Sequence, residues 1–328
     1  MSHLETTAST DAASLITSTG SRRGFLLVVL AALCWGTSGF SGRIVADRAG
    51  LGPLDIAWHR MAIGAVVLLA GFALTRRRRS APPAADRGTA VRLALVGAGL
   101  AAYQFAYFAA VATAGVSIAT LVALGLAPLL IAVGAALLGH GRPDRATLVA
   151  LAAALVGLVL LVGISAGADT GTTVVLGALM AVGSALGYAV VTLAGAGVPA
   201  GVPLTLAGFV GGALLLTPLA LVVGLRFTGD PVALGVLLYL GAVPSALAYA
   251  MFFRGLRTVP GAVASIVTLL EPLTATALAT AFLGERLQPA ALAGGLLVLA
   301  AVAGLYLRRM GDSNSRGVTP NPLSKRAP

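Results

Sequence analysis

One acidic side chain lies deep inside an apolar stretch. Glu271 stands 14 residues after Arg257 and 14 before Glu285, with no other Asp, Glu, Lys or Arg between them. At the centre of a membrane span a carboxyl costs about 2.5–3.5 kcal/mol on insertion scales, which makes it a functional candidate by default. Desolvation favours its neutral, protonated form, and that suits a proton carrier. Pro272 follows and brings no backbone N–H, so a helix break is expected there, with the carbonyl of Thr268 freed beside the carboxyl. The competing reading is a structural Glu271 that hydrogen-bonds a neighbouring helix or neutralises Arg60.

Arg60 is the matching cation. It falls about eight residues into an apolar helix, roughly 12 Å along it, where it could hold a substrate carboxylate, pair with Glu271, or snorkel toward the surface. His59 precedes it on another face. Polar and aromatic residues elsewhere could line a chamber. Tyr103 and Tyr107 are four apart and share a helix face, with Gln104 alongside; Tyr249 and Ser245 repeat the spacing; Trp35 sits too deep for an interfacial belt. Each taken alone is more often a packing residue than a ligand; together they describe an amphipathic, weakly polar chamber. Pro128 is a second expected helix break, and Glu285 and Arg286 fall at a loop, as gate or helix-end residues.

The rare residues narrow the chemistry. Lys325 is the one lysine, so neither a P-loop nor a Schiff base inside a bundle can be built. Cys34 is the one cysteine, and His3, His59 and His140 are far apart, which argues against disulfides, zinc, iron–sulfur and haem. A zinc-protease His-Glu-x-x-His pair is missing, and intramembrane aspartyl chemistry would need two deep carboxylates. The expectation is a protein without cofactor or metal that is not an enzyme.

The elements that must position these residues are membrane helices. Only 10% of the 328 residues are charged and 58% are hydrophobic, with mean hydropathy +0.96; a soluble domain carries roughly 25% charged residues. The net charge of +11 is read as basic loops rather than as nucleic-acid binding. A bilayer core of about 30 Å takes roughly 20 apolar residues per helix. Residues 24–42 give one span, and a second must begin near Pro53 and carry Arg60. Residues 93–141 hold no charge over 49 positions and give two spans with a turn near Thr113–Gly115. Residues 146–168 give a fifth. Residues 170–225 give two more, broken by the Gly/Pro-rich stretch Gly195–Pro203. Residues 231–253, 258–284 and 287–307 complete ten. Residues 1–21 and 309–328 read as disordered tails. Ser21-Arg22-Arg23-Gly24-Phe25-Leu26 resembles a twin-arginine export signal, but nine further spans follow it, so a basic flank on the first helix is favoured.

With the amino terminus inside, the cytoplasmic side collects 17 of the 22 Lys and Arg and the outside four, Arg60 lying within a span. This positive-inside bias puts both termini in the cytoplasm and the chain in the cell membrane. The halves also resemble each other. The segment ending Leu126-Ala127-Pro128 matches that ending Leu270-Glu271-Pro272 at an offset of 144. Leu138-Gly139-His140 matches Leu283-Gly284-Glu285 at 145, and Trp35-Gly36 sits against Val182-Gly183 at 147. Five helices is an odd number, so residues 22–168 and 169–308 are expected to be inverted five-helix repeats, a signature of alternating-access carriers.

Trp35-Gly36, Arg60, Pro128, Glu271-Pro272 and Gly284-Glu285-Arg286-Leu287 together resemble the EamA family of the drug/metabolite transporter superfamily, over about residues 24–307. The first half departs from it, with Gly139-His140-Gly141-Arg142 in place of a second Gly-Glu-Arg. The resemblance implies secondary transport of amino acids, metabolites or drug-like solutes, with export the expected direction and protons a candidate coupling ion. The partners are then a small-molecule substrate and the lipid bilayer. A membrane channel or a non-transporting receptor is the alternative, though no selectivity-filter sequence or ring of charge is evident.

Overall fold

The computed structural model describes residues 22–75, 86–139, 141–162, 172–283 and 289–316. Every regular element among them is helical. In chain order they are α1 (Arg22–Ala49), α2 (Pro53–Thr75), α3 (Arg87–Gly115), α4 (Ile118–Leu137), α5 (Arg145–Val162), α6 (Thr172–Ala196), α7 (Leu204–Val223), α8 (Pro231–Gly255), α9 in two pieces (Gly261–Val267 and Leu270–Leu283), and α10 (Pro289–Arg316). Nine are long and apolar enough to cross a membrane, and α5 is a shorter apolar helix. Its 18 residues rise roughly 27 Å. Residues 309–316, expected as the start of a disordered tail, continue α10 as helix; residues 1–21 and 317–328, and Glu285, Arg286 and His140, lie outside the described set.

Local chemistry fixes the helix ends. Asp86 accepts from the Thr89 N–H at 2.9 Å, Asp144 from Thr147 at 2.8 Å and Asp230 from Ala233 at 2.7 Å. Each satisfies one of the orphan donors of a helix start. Between α3 and α4 the chain reverses at Gly115, whose φ of 80° belongs to a region that only glycine occupies cheaply. The turn falls where the uncharged 49-residue window requires it.

The helices approach one another through small residues. A Cβ on Gly294 of α10 would lie 2.5 Å from the carbonyl oxygen of Gly157 in α5, and one on Gly187 of α6 would lie 2.8 Å from that of Gly99 in α3. Such contacts replace the hydrophobic drive that lipid cannot supply. Beyond these pairs, α2 packs on α7 and α8, α4 on α6, α3 on α7, α1 on α8, and α4 on the first piece of α9. Large side chains left outside, such as Leu69, Leu214, Val222 and Leu296, are apolar and exposed, as lipid-facing residues must be. The core between the helices is a large aromatic and aliphatic cluster running from Phe25 to Leu305, with a smaller alanine cluster of Ala110, Ala119, Ala123 and Ala181 beside it.

Two helices are irregular. In α8 the segment Gly241–Leu247 is π-helical. Pro244 cannot donate to the carbonyl of Leu240, and the Ser245 hydroxyl donates to it instead at 2.7 Å. In α9 the helix stops at Thr268–Leu269 and restarts one residue before Glu271. The expected free carbonyl of Thr268 is not there, because the Glu271 N–H donates to it at 2.9 Å. Pro128 makes no break either. The backbone of α4 stays helical through it, and the one departure between Arg87 and Leu137 is Gly115.

Candidate functional site

Seven of the residues singled out in the sequence line one cavity. Trp35 of α1, Arg60 of α2, Tyr103, Gln104 and Tyr107 of α3, Tyr249 of α8 and Glu271 of α9 surround about 370 Å³ of space free of atoms, part of it open to the surface. Ser38, Gly39 and Phe108 complete the wall.

Arg60 does not snorkel. It is 5% exposed, and its guanidinium is held from three directions. Nε donates to Ser245 Oγ at 3.2 Å, one terminal nitrogen reaches Ser38 Oγ at 3.5 Å, and Phe108 lies under it with 5.6 Å between Cζ and the ring centroid, within cation–π range. The π-helical turn of α8 therefore has a structural consequence. It aims the Ser245 hydroxyl so that one oxygen caps Leu240 and receives Arg60. Ser245 is buried outside the cavity wall proper and contacts the site through the arginine.

Glu271 enters the cavity from the break in α9. It remains partly accessible there, and among the described residues no carboxylate lies within 4 Å of Arg60, so the two opposite charges share a cavity without an ion pair. Gly36 explains how α1 reaches this turn. A Cβ on it would sit 2.7 Å from the Glu271 carbonyl oxygen.

An aromatic cage surrounds the charges. Trp35 packs on Tyr249 at 4.9 Å and on Phe252 at 5.2 Å between ring centroids, and Tyr103 on Tyr188 at 5.5 Å. The Tyr107 hydroxyl pairs with Thr120 Oγ1 at 2.9 Å. Three buried polar atoms of this cage have no hydrogen-bond partner among the described residues: Trp35 Nε1, Gln104 Nε2 and Tyr188 Oη. The Tyr188 hydroxyl has Thr268 and Thr192 nearby, but neither makes a bond of acceptable geometry with it.

His59 turns away. Its Nδ1 lies 2.7 Å from the Asp55 carbonyl and its ring stacks edge-on against Trp58 and Phe227, as a satisfied structural histidine does. Sequence reasoning missed Ser38, Phe108 and Tyr188. Ser38 and Phe108 had a usable signal, since Ser38 lies three residues beyond Trp35 and Phe108 four beyond Gln104, on the helix faces already implicated. Tyr188 carried none.

Apolar helices of this length, packed around a cavity with a buried cation and a partly accessible acid, are those of a multi-pass membrane protein. The model of the EamA-like transporter family matches residues 22–163 and 173–307, and the chain belongs to that family. It is 31% identical over 283 residues to the uncharacterized transporter YwfM of Bacillus subtilis (strain 168), covering 84% of this chain and 93% of that one. It is 24% identical over 289 residues to the uncharacterized inner membrane transporter YicL of Salmonella typhimurium, covering 86% and 94%. A protein of known crystal structure shares the fold with a TM-score of 0.74 at 22% identity, over 87% of this chain and 98% of that one.

Proposed function

We propose that this chain is a secondary active exporter of small metabolites, amino acids or drug-like solutes, working by alternating access with protons as the coupling ion. The observation that carries the reading is Glu271 and Arg60 lining one cavity without pairing. A carboxyl locked in an ion pair could not exchange a proton with the substrate's arrival; one that faces a cavity can. Protonation removes its charge and so changes which helix arrangement is cheaper, and binding can shift the equilibrium only through such a difference.

The proposed architecture is two inverted five-helix repeats with both termini in the cytoplasm. The packing pattern supports it. Advancing each helix by five maps α2–α7 and α5–α10 onto themselves, and maps α3–α6 onto α8–α1 and α2–α8 onto α7–α3. The two separate family matches, one per half, support it too. The cavity then lies where the halves meet, with Trp35, Arg60 and Gln104 from the first and Tyr249 and Glu271 from the second, as expected for carriers built from inverted repeats.

Counterflow in proteoliposomes tests the carrier reading. Vesicles preloaded with unlabelled solute should accumulate labelled solute transiently, because only a carrier shows trans-stimulation. Flux that follows concentration alone, with no trans-stimulation, would make the protein a channel.

A further inference from the structure

The walls of the cavity offer more hydrogen-bond donors than the protein satisfies. Arg60 has five N–H groups in a rigid fork, and two bonds to serine hydroxyls are all it makes among the described residues. Trp35 Nε1 can only donate, and Gln104 Nε2 can only donate; both are buried and both lack an acceptor. Gln104 is 1% exposed. A buried donor left unmade costs its full desolvation penalty, so two such groups beside a guanidinium with donors to spare point to an occupant that brings acceptors. Glu271 does not supply them to Arg60, since no carboxylate lies within 4 Å of it.

We infer that the cavity takes a small organic acid whose carboxylate lies against Arg60, with Trp35 and Gln104 donating to acceptors of the same molecule. This rests on the carrier reading above and adds the chemical class of its substrate. The guanidinium fork matches a carboxylate bidentately. A phosphate ester fits less well. One buried cation faces it, lysine is absent from the membrane-spanning part of the chain, and Glu271 shares the cavity, so a dianion would be left with uncompensated charge. An organic cation fits worst, because the unpartnered donors would stay unpartnered. The flat faces of Trp35 and Tyr249 suit an apolar body on the acid.

Matched probes that differ in the head group alone decide the matter. The purified full chain in nanodiscs is titrated calorimetrically with 3-phenylpropionate, 3-phenylpropylamine, 3-phenylpropanol and 2-phenylethyl phosphate. The expected result is saturable binding of phenylpropionate at least tenfold tighter than that of the other three. Arg60→Gln should weaken it tenfold or more and Gln104→Leu severalfold, each variant first shown to be monodisperse by size exclusion. Should Arg60→Gln fail to fold, Arg60→Lys serves instead; it keeps the charge, loses the fork, and should still weaken binding. Absence of saturable phenylpropionate binding, equal or tighter binding of the amine or the phosphate, or unchanged affinity in the Arg60 and Gln104 variants would each overturn the inference. A protein that passes counterflow but prefers the amine would lose this inference alone and remain a carrier.

Discussion

Gly36 of α1 touches the backbone of Glu271. A Cβ at position 36 would come within 2.7 Å of the Glu271 carbonyl oxygen and 2.5 Å of Thr274 Cβ, neither of which can swing aside as a flexible side-chain end could. The Trp-Gly pair of the first half and the Glu-Pro pair of the second therefore meet in space. Gly36→Ala should push α1 off this turn and destabilise the fold by about 1–3 kcal/mol, as overpacking does. Thermal unfolding in detergent measures that cost. Transport per folded molecule should fall as well, since Trp35 moves with the helix; an unchanged melting temperature and unchanged flux would contradict the contact.

Ser245 links a helix defect to the buried cation. Its hydroxyl donates to the Leu240 carbonyl at 2.7 Å and accepts from Arg60 Nε at 3.2 Å. Ser245→Ala leaves both groups short of a partner in a buried place, a loss of about 1–3 kcal/mol. Ser245→Thr retains the hydroxyl and should recover most of it. The comparison is made by thermal unfolding, and equal stability of the two variants would count against the shared hydroxyl.

At the start of α2, Asp55 ties the helix to the segment before α8. It accepts from the Gly52 N–H at 2.9 Å, the Arg226 N–H at 3.1 Å and Arg226 Nε at 3.3 Å. Asp55→Ala strips the acceptor from two main-chain donors, again about 1–3 kcal/mol, and should raise proteolytic cleavage between residues 224 and 230 before it affects the rest of the chain. Protection equal to that of the parent protein would show that the tie is dispensable.

Asp144 gives a pH signature outside the spans. The Arg308 guanidinium at 2.7 Å and the Thr147 N–H hold its carboxyl well below the usual carboxylate range. A folded-state value below the unfolded one stabilises above the unfolded value and fades as pH falls through the folded one. Both partners are about half exposed, so the pair contributes no more than about 1 kcal/mol. Asp144→Asn keeps the helix cap and loses the ion pair. Its deficit relative to the parent should be constant between pH 5 and 8, on the order of the value just given, and shrink only in stronger acid. A deficit that grows as pH falls would reverse the assignment.

Much of this was legible in the sequence because membrane solvation is unforgiving. Charge-free windows located the helices, the breaks at Gly115 and between Ala196 and Leu204 fell in the expected turns, and depth alone drew attention to Glu271 and Arg60. Proline was misleading in both directions. Pro128 leaves α4 unbroken, while Pro244 lies in a π-helical turn in which the Ser245 hydroxyl takes the Leu240 carbonyl. Pro272 was expected to expose the Thr268 carbonyl, but the chain tightened and its own Glu271 N–H closed the gap. The cage residue Tyr188 was illegible for a different reason. Its place beside Trp35 and Tyr103 is set by how α6 packs on its neighbours, which no local spacing encodes.

The role of Glu271 is tested most directly by proton-driven flux of the Glu271→Gln variant. The solute is first found by a growth screen of a deletion strain against toxic amino acids and antimetabolites, and then followed in proteoliposomes under an imposed pH gradient. Gradient-driven flux should vanish in the variant while solute-for-solute exchange persists. Full gradient-driven flux with the parent's pH dependence would remove Glu271 from the coupling.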